Sequence, residues 1–270
     1  MNLHASAFWF LNPTYLESVG RRLAIAQQTI EPTAKRPATD YYGDQIDQMR
    51  MEGAIAVVPV KGPLLQGATG SDKKAGFSSY EDIRDDIESG ISAGAKAILL
   101  DIASPGGTAV GAGETARFIK DTIDSGVPVF SFTESMQCSA AEYLSGACSA
   151  RFATADAIVG SIGTIMTTLS FQGMLENIGI KAEVITSGKF KGAGHPYKDM
   201  TDEQKANVQG FVDELAGEFK SWMSKHRKGM TADSMEGQVF TGKTGAQNGL
   251  IDATSSGLRP LLYTLNRGIG

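Results

Sequence analysis

Three short stretches of this chain carry residue types that can do more than pack. The first is Cys138-Ser139-Ala140-Ala141, which follows an apolar run at 127–132 and opens a helical stretch through Tyr143, Leu144 and Ala147. A serine among small residues at a helix start exposes its Oγ, and the positive end of the helix favours the negative charge that develops in nucleophilic attack. The plain alternative for Ser139 is a helix N-cap. The second stretch, Asp101-Ile-Ala-Ser104-Pro105-Gly106-Gly107, reads as a strand ending in a Pro-Gly-Gly turn, with a helix beginning near Ala109. Two glycines after a strand let backbone N–H groups face a ligand, as an oxyanion hole or a phosphate cradle requires. The third stretch, 185–194, offers a base. Lys191 stands among small and apolar residues, where burial would lower its pKa and free its amine to accept a proton. His195 is the only histidine nearby, and no acid stands at a spacing that completes a Ser-His-Asp set.

These groups need a scaffold, and the pattern around them is α/β. Short apolar, β-branched runs at 54–60, 97–102, 127–132, 157–159 and 182–186 alternate with helical periods, which predicts strands joined by βα crossovers. Ser78-x-x-Glu81 and Thr201-x-x-Gln204 are expected capping boxes. The second opens a long helix whose Val208, Phe211, Val212, Leu215, Phe219, Trp222 and Met223 fall on one face, for packing against a sheet or a neighbouring subunit. The Gly/Ser/Lys-rich stretch 65–79 is expected to be a mobile loop. Residues 1–50 differ in character: an amphipathic helix at 15–28 and a polar, proline-containing linker at 31–42 suggest an arm joined to a main domain at 51–270.

Composition narrows the function classes. The 270 residues are 41% apolar and 20% charged, and their formal net charge is −5, which suits a folded enzyme and gives no purchase on a phosphate backbone. No nucleic-acid partner is expected. Two cysteines cannot make a disulfide framework, and three histidines have no metal-ligand spacing, so a reducing compartment and no metal are expected. The apolar stretch 5–11 is too short to span a bilayer and lacks a basic flank, so neither a signal peptide nor a membrane anchor is expected.

Taken in order, the motifs resemble the signal peptide peptidase A family, serine peptidases of the ClpP/crotonase fold with a Ser-Lys dyad. Ser104-Pro105-Gly106-Gly107 is similar to the family's oxyanion motif, Ser139 occupies the nucleophile position, and Gly160-Ser161-Ile162-Gly163 resembles the following Gly-Ser-hydrophobic-Gly. Ser187-Gly188-x-x-Lys191 resembles the segment bearing the lysine base, 52 residues beyond the serine, and 237–252 resembles the closing strand and helix. Ala140-Ala141-Glu142 stands where cellular members more usually have Gly-Gly-Tyr. With the N-terminal extension, that departure makes the chain similar to the bacteriophage branch, which processes capsid or scaffold proteins during head assembly.

The resemblance implies repeated ββα units, Ser139 as nucleophile, Lys191 as base, backbone N–H groups of Gly107 and Ala140 as oxyanion donors, and Ser161 orienting the lysine. It also implies a protein or peptide substrate, no cofactor, a closed homo-oligomer, and host cytoplasm as the location if the chain is phage-encoded. Three other readings stay open here: a cellular peptidase degrading signal or membrane peptides, an acyl-CoA enzyme of the same fold, and an inactive assembly component.

Overall fold

The computed structural model describes residues 9–11 and 48–269. Most of the expected arm, including the helix at 15–28 and the linker, lies outside the described residues. In chain order the elements begin with β1 (Trp9–Leu11), β2 (Arg50–Glu52), β3 (Ile55–Lys61), β4 (Leu64–Leu65), α1 (Gly70–Lys74), β5 (Ser78–Ser79) and α2 (Tyr80–Ser92). They continue with β6 (Ala97–Ala103), β7 (Gly106–Thr108), α3 (Ala112–Asp124), β8 (Val129–Thr133), β9 (Met136–Cys138), α4 (Ala140–Ser145), β10 (Ala150–Ala153), β11 (Ile158–Gly160) and α5 (Gln172–Asn177). The chain closes with α6 (Asp202–His226), β12 (Val239–Thr241), α7 (Gly242–Gln247), β13 (Ala253–Thr254) and α8 (Leu258–Ile269).

The sequence of long strand, short strand, helix recurs as β6-β7-α3 and β8-β9-α4, which are the expected ββα units of an α/β fold. The long strands make one sheet of order β13-β10-β8-β6-β3-β2, parallel except for β2. Parallel strands are covered on both faces, so they read as unbroken apolar runs rather than alternating ones. β3 and the start of β6 obey this: every residue from Ile55 to Val60 and from Ala97 to Leu100 is buried. One face packs on a core that includes Ala56, Val58, Ile83, Ile98, Leu100 and Ile119, and the other on Leu261 and Leu262 of α8.

The short strands form a second layer. β4 and β7 belong to a sheet of order β1-β7-β4-β5, and β9 and β11 to one of order β12-β11-β9. A parallel bridge between Ser104 and Gln137 joins the two sheets. The second unit's short strand β9 thereby lies beside the β6-β7 junction of the first.

Several local expectations shift. The run 182–186 forms no strand and is largely exposed, with Ile185 at 92% exposure. Its branched residues match strand composition, but no partner strand reaches them, and a strand without a ladder leaves its backbone groups to water. The cap of α2 is Ser79, accepting from the Glu81 N–H, while Ser78 lies in β5. At 65–79 the expected loop holds α1, capped reciprocally by Thr69 and Asp72. Gly106 and Gly107 lie in a strand of their own, and the following helix starts at Ala112 rather than near Ala109.

The Thr201 capping box forms with both of its bonds, and α6 runs 25 residues. Along its apolar stripe Phe219 and Met223 are buried, whereas Phe211 is 51% exposed.

Candidate active site

β9 runs parallel to β11 with Cys138 opposite Gly160, so Ser139 and Ser161 follow in matched register. Both have φ of +56° and are the only non-glycine residues with positive φ among the described residues. Such a conformation costs of order 1–3 kcal/mol and persists only where the surroundings over-determine it. Here the Ser139 N–H donates to the Gly160 carbonyl at 2.8 Å, the Ser139 carbonyl accepts from the Tyr143 N–H at 2.9 Å, and the Ser161 N–H donates to the Gln238 carbonyl at 2.6 Å. The backbone of Ser139 is therefore held on both sides, and that of Ser161 through its N–H.

Ser139 precedes α4 but does not cap it: no hydrogen bond joins its side chain to the helix. Its Oγ is buried and has no hydrogen-bond partner among the described residues. The plain N-cap alternative is thus not what the fold contains.

The glycine pair reaches the same place through Ser104. Its N–H donates to the Met136 carbonyl at 2.8 Å, and its carbonyl accepts from the Cys138 N–H at 3.1 Å. Its buried Oγ accepts from the Gly106 N–H at 3.2 Å, which fixes the turn across Pro105. Gly106 has φ of +111°, and a Cβ on Gly107 would lie 2.6 Å from the Leu64 Cβ and closer still to the Leu64 carbonyl. Glycine is required at the first position by conformation and at the second by the approach of β4. α4, which begins at Ala140, packs against β7, which carries Gly107.

Lys191 is not brought there. It is exposed in a turn whose Lys191 N–H donates to the Gly188 carbonyl at 3.1 Å, and its Nζ has no partner among the described residues. The expected burial among small residues fails for a physical reason. The segment is tethered to the start of α6 by Gln204 Nε2, which donates to the Lys189 carbonyl at 2.6 Å, and by the ion pair of Lys189 with Glu203. Neither tether points into the core. His195 also lies in this segment, its Nδ1 accepting from the Tyr197 N–H at 3.3 Å. Cys138, the other nucleophile type beside the turn, is buried at the end of β9 with its Sγ directed at the Ile158 carbonyl, 3.8 Å away.

Sequence reading missed the polar network beneath the serine. Gln137 and Glu142 flank Ser139 on either side, and Gln137 Nε2 donates to Glu142 Oε2 at 2.8 Å, closing the turn from below. Glu142 Oε1 accepts from Arg151 Nη1 at 2.6 Å, with neither side chain exposed. Arg151 also donates from its backbone to Asp252 Oδ2 at 2.8 Å, and Asp252 Oδ1 accepts from Arg227 Nη2 at 2.6 Å. Burial pushes the Glu142 carboxyl above its ordinary range and pulls the Arg151 guanidinium down, while each partner's charge opposes the shift. The nearby Cys148 thiol is pushed up to about 12 by burial and stays protonated. The one sequence signal for this network was Glu142 itself, a charge in a stretch otherwise small and apolar.

Among the described residues no cluster of His, Cys, Asp or Glu could hold a metal ion, and no helix is long and apolar enough to cross a membrane. A turn-borne serine beside a Gly-Gly strand is a geometry for acyl transfer.

The chain is 32% identical over 222 residues to the head-tail preconnector protein GP5 of Enterobacteria phage P21, covering 81% of this chain and 42% of that one. It is 30% identical over 212 residues to the capsid assembly protease C of Escherichia phage lambda, covering 77% and 48%. The chain thus spans about half the length of the curated relatives it matches. Among solved structures, an enoyl-CoA hydratase from Thermoplasma volcanium overlaps 85% of this chain and 79% of its own at 12% identity, with a TM-score of 0.43. The profile of peptidase family S49 matches residues 121–257, which run from the end of α3 through Ser139, Ser161 and Lys191 to the start of α8, and the chain belongs to that family.

Proposed function

We propose that this chain is a serine endopeptidase that cleaves capsid or scaffold protein during phage head assembly. The observation that carries the reading is Ser139, held at φ +56° with a buried, unpartnered Oγ beside the Gly106-Gly107 strand. The phage relatives supply the substrate class. Ser139 Oγ attacks the peptide carbonyl, and the resulting oxyanion is received by the N–H groups of Gly107 and Ala140, each contributing about 2.7–4 kcal/mol if they act as oxyanion donors elsewhere do. Lys191 takes the hydroxyl proton and passes it to the leaving amine, after which water resolves the acyl-enzyme. Ser161, in matched register beside Ser139, orients the lysine.

This requires the segment 165–200 to close over the serine, because a base must come within hydrogen-bond reach of the hydroxyl whose proton it takes. Closure would also cover Leu169, Ile178, Ile180 and Ile185, each more than half exposed in the isolated chain. A homo-oligomer is the setting in which we place that closure.

The test is incubation with capsid and scaffold protein from the same genome, alongside labelling by a fluorophosphonate. Wild type should cleave and should label at Ser139. Ser139→Ala should do neither while remaining folded, since no side-chain bond is lost. Lys191→Ala should lose nearly all cleavage, whereas Lys189→Ala and His195→Ala should keep most of it. Full cleavage by Ser139→Ala would end the reading, and a severe loss in His195→Ala with an active Lys191→Ala would mean the base is misassigned.

A further inference from the structure

β7 carries Gly107 and has two edges. β4 takes one in parallel, with Leu64 opposite Gly107. The other is taken by β1, which runs antiparallel with Trp9 opposite Thr108, Phe10 opposite Gly107 and Leu11 opposite Gly106. β1 is therefore the outermost strand of its sheet, laid along the strand that carries the expected oxyanion donor.

Direction matters here. Passing from Trp9 to Leu11, the chain travels from Thr108 toward Gly106, hence toward Ser104, whose backbone is bonded to both Met136 and Cys138 beside the serine turn. Leu11 is the β1 residue at the Ser104 end of β7, and Phe10 lies opposite Gly107. A strand edge with unpaired N–H and C=O groups is a template for an added strand, and extended peptides are commonly recognised that way. Three residues of pairing hold weakly, because short strands have little independent stability. An occupant of this kind can be displaced.

We propose that Trp9–Leu11, paired antiparallel along β7, is an internal competitor for the edge on which an extended substrate peptide would lie. The ligand class is an extended peptide with a short apolar run, as in Trp9-Phe10-Leu11. The chain's own N-terminal segment then restrains its activity until a substrate strand displaces it. This rests on the endopeptidase reading above. Tethering sets the strength of the restraint, since a segment held near its site acts at an effective concentration of order millimolar.

The test uses the full chain. Phe10→Pro removes a backbone N–H and fixes φ in the middle of β1, which disfavours strand pairing. A second variant, Trp9→Asp with Leu11→Asp, alters the apolar run and leaves the backbone free to pair. With a fluorogenic apolar peptide, both should lower KM by several-fold and leave kcat unchanged. A synthetic peptide of residues 6–14 should inhibit both variants competitively and affect wild type less. Unchanged KM in both folded variants, or no competition by the peptide, would overturn the proposal. Binding of the fluorescein-labelled peptide to Ser139→Ala with Phe10→Pro, read by anisotropy, separates the two claims. Binding there, with no turnover by any chain that keeps Ser139, would sink the peptidase reading and keep the seat. Turnover without such binding would do the reverse.

Discussion

Replacing Glu142 by alanine would leave the Arg151 guanidinium, none of it exposed, without its carboxylate. Removing one partner of a buried pair costs about 3–5 kcal/mol, because the remaining charge stays desolvated and unpaired. Gln137 Nε2 would lose its acceptor as well, and an unsatisfied buried donor costs about 1–3 kcal/mol. The two losses overlap, so a total of about 4–6 kcal/mol is expected, a large part of the 5–15 kcal/mol that usually holds a domain together. At roughly 2–4 °C per kcal/mol for a domain of this size, Tm should fall by about 10–20 °C. Thermal unfolding followed by near-ultraviolet circular dichroism measures it. Glu142→Leu with Arg151→Met should recover most of the loss, since apolar groups of similar volume replace a buried pair at little cost. Fluorophosphonate labelling of Ser139 at a temperature where Glu142→Ala is still folded should slow, because Gln137 and Glu142 close the turn that holds the serine. A Tm within 3 °C of wild type, on the order of the 1 kcal/mol expected of an ordinary substitution, would refute the reasoning.

Gly107→Ala would drive a Cβ into the Leu64 backbone, so β7 must part from β4. Turnover should fall by about 10²–10³-fold, the loss seen when one oxyanion donor is removed, with the helical signal retained; unchanged turnover would remove Gly107 from the site. Asp86 carries a carboxyl pushed up to about 6, by burial first and then by the charges of Asp82 and Asp85. The folded chain thus holds this proton more tightly than the unfolded one, so stability falls as pH rises from about 4 to about 6. Asp86→Asn should flatten that decline and raise stability at pH 7 by about 1 kcal/mol after allowance for partial solvent screening. Urea midpoints of the two chains at pH 4.5 and 7 measure this, and a larger gain at the lower pH would contradict it.

Much of the scaffold was legible because its signals are local. Ile55 to Val60 and Ala97 to Leu100 are apolar without a break, as strands covered on both faces must be, and Thr201 with Gln204 announces α6 within four residues. The serine turn was legible in the same way, from small residues around Ser139 between a strand and a helix. What escaped were relations between distant residues. That Gly106 and Gly107 form a strand depends on β1 and β4 lying beside them, and the window 101–109 contains neither.

The run at 182–186 has strand composition and no strand to pair with, so composition misled. The buried Glu142–Arg151 pair depends on Gln137 and on Asp252, 101 residues beyond Arg151, and no local window brings these residues together. Lys191 has the same small neighbours in sequence whether its segment lies on the serine or on α6. In the isolated chain the tethers from Gln204 and Glu203 hold it beside α6, and they act across space. Local pattern fixes which backbone conformations are favoured and which faces are apolar. Whether a polar group ends up buried, paired or in water depends on what the rest of the chain brings against it, and only the tertiary structure decides that.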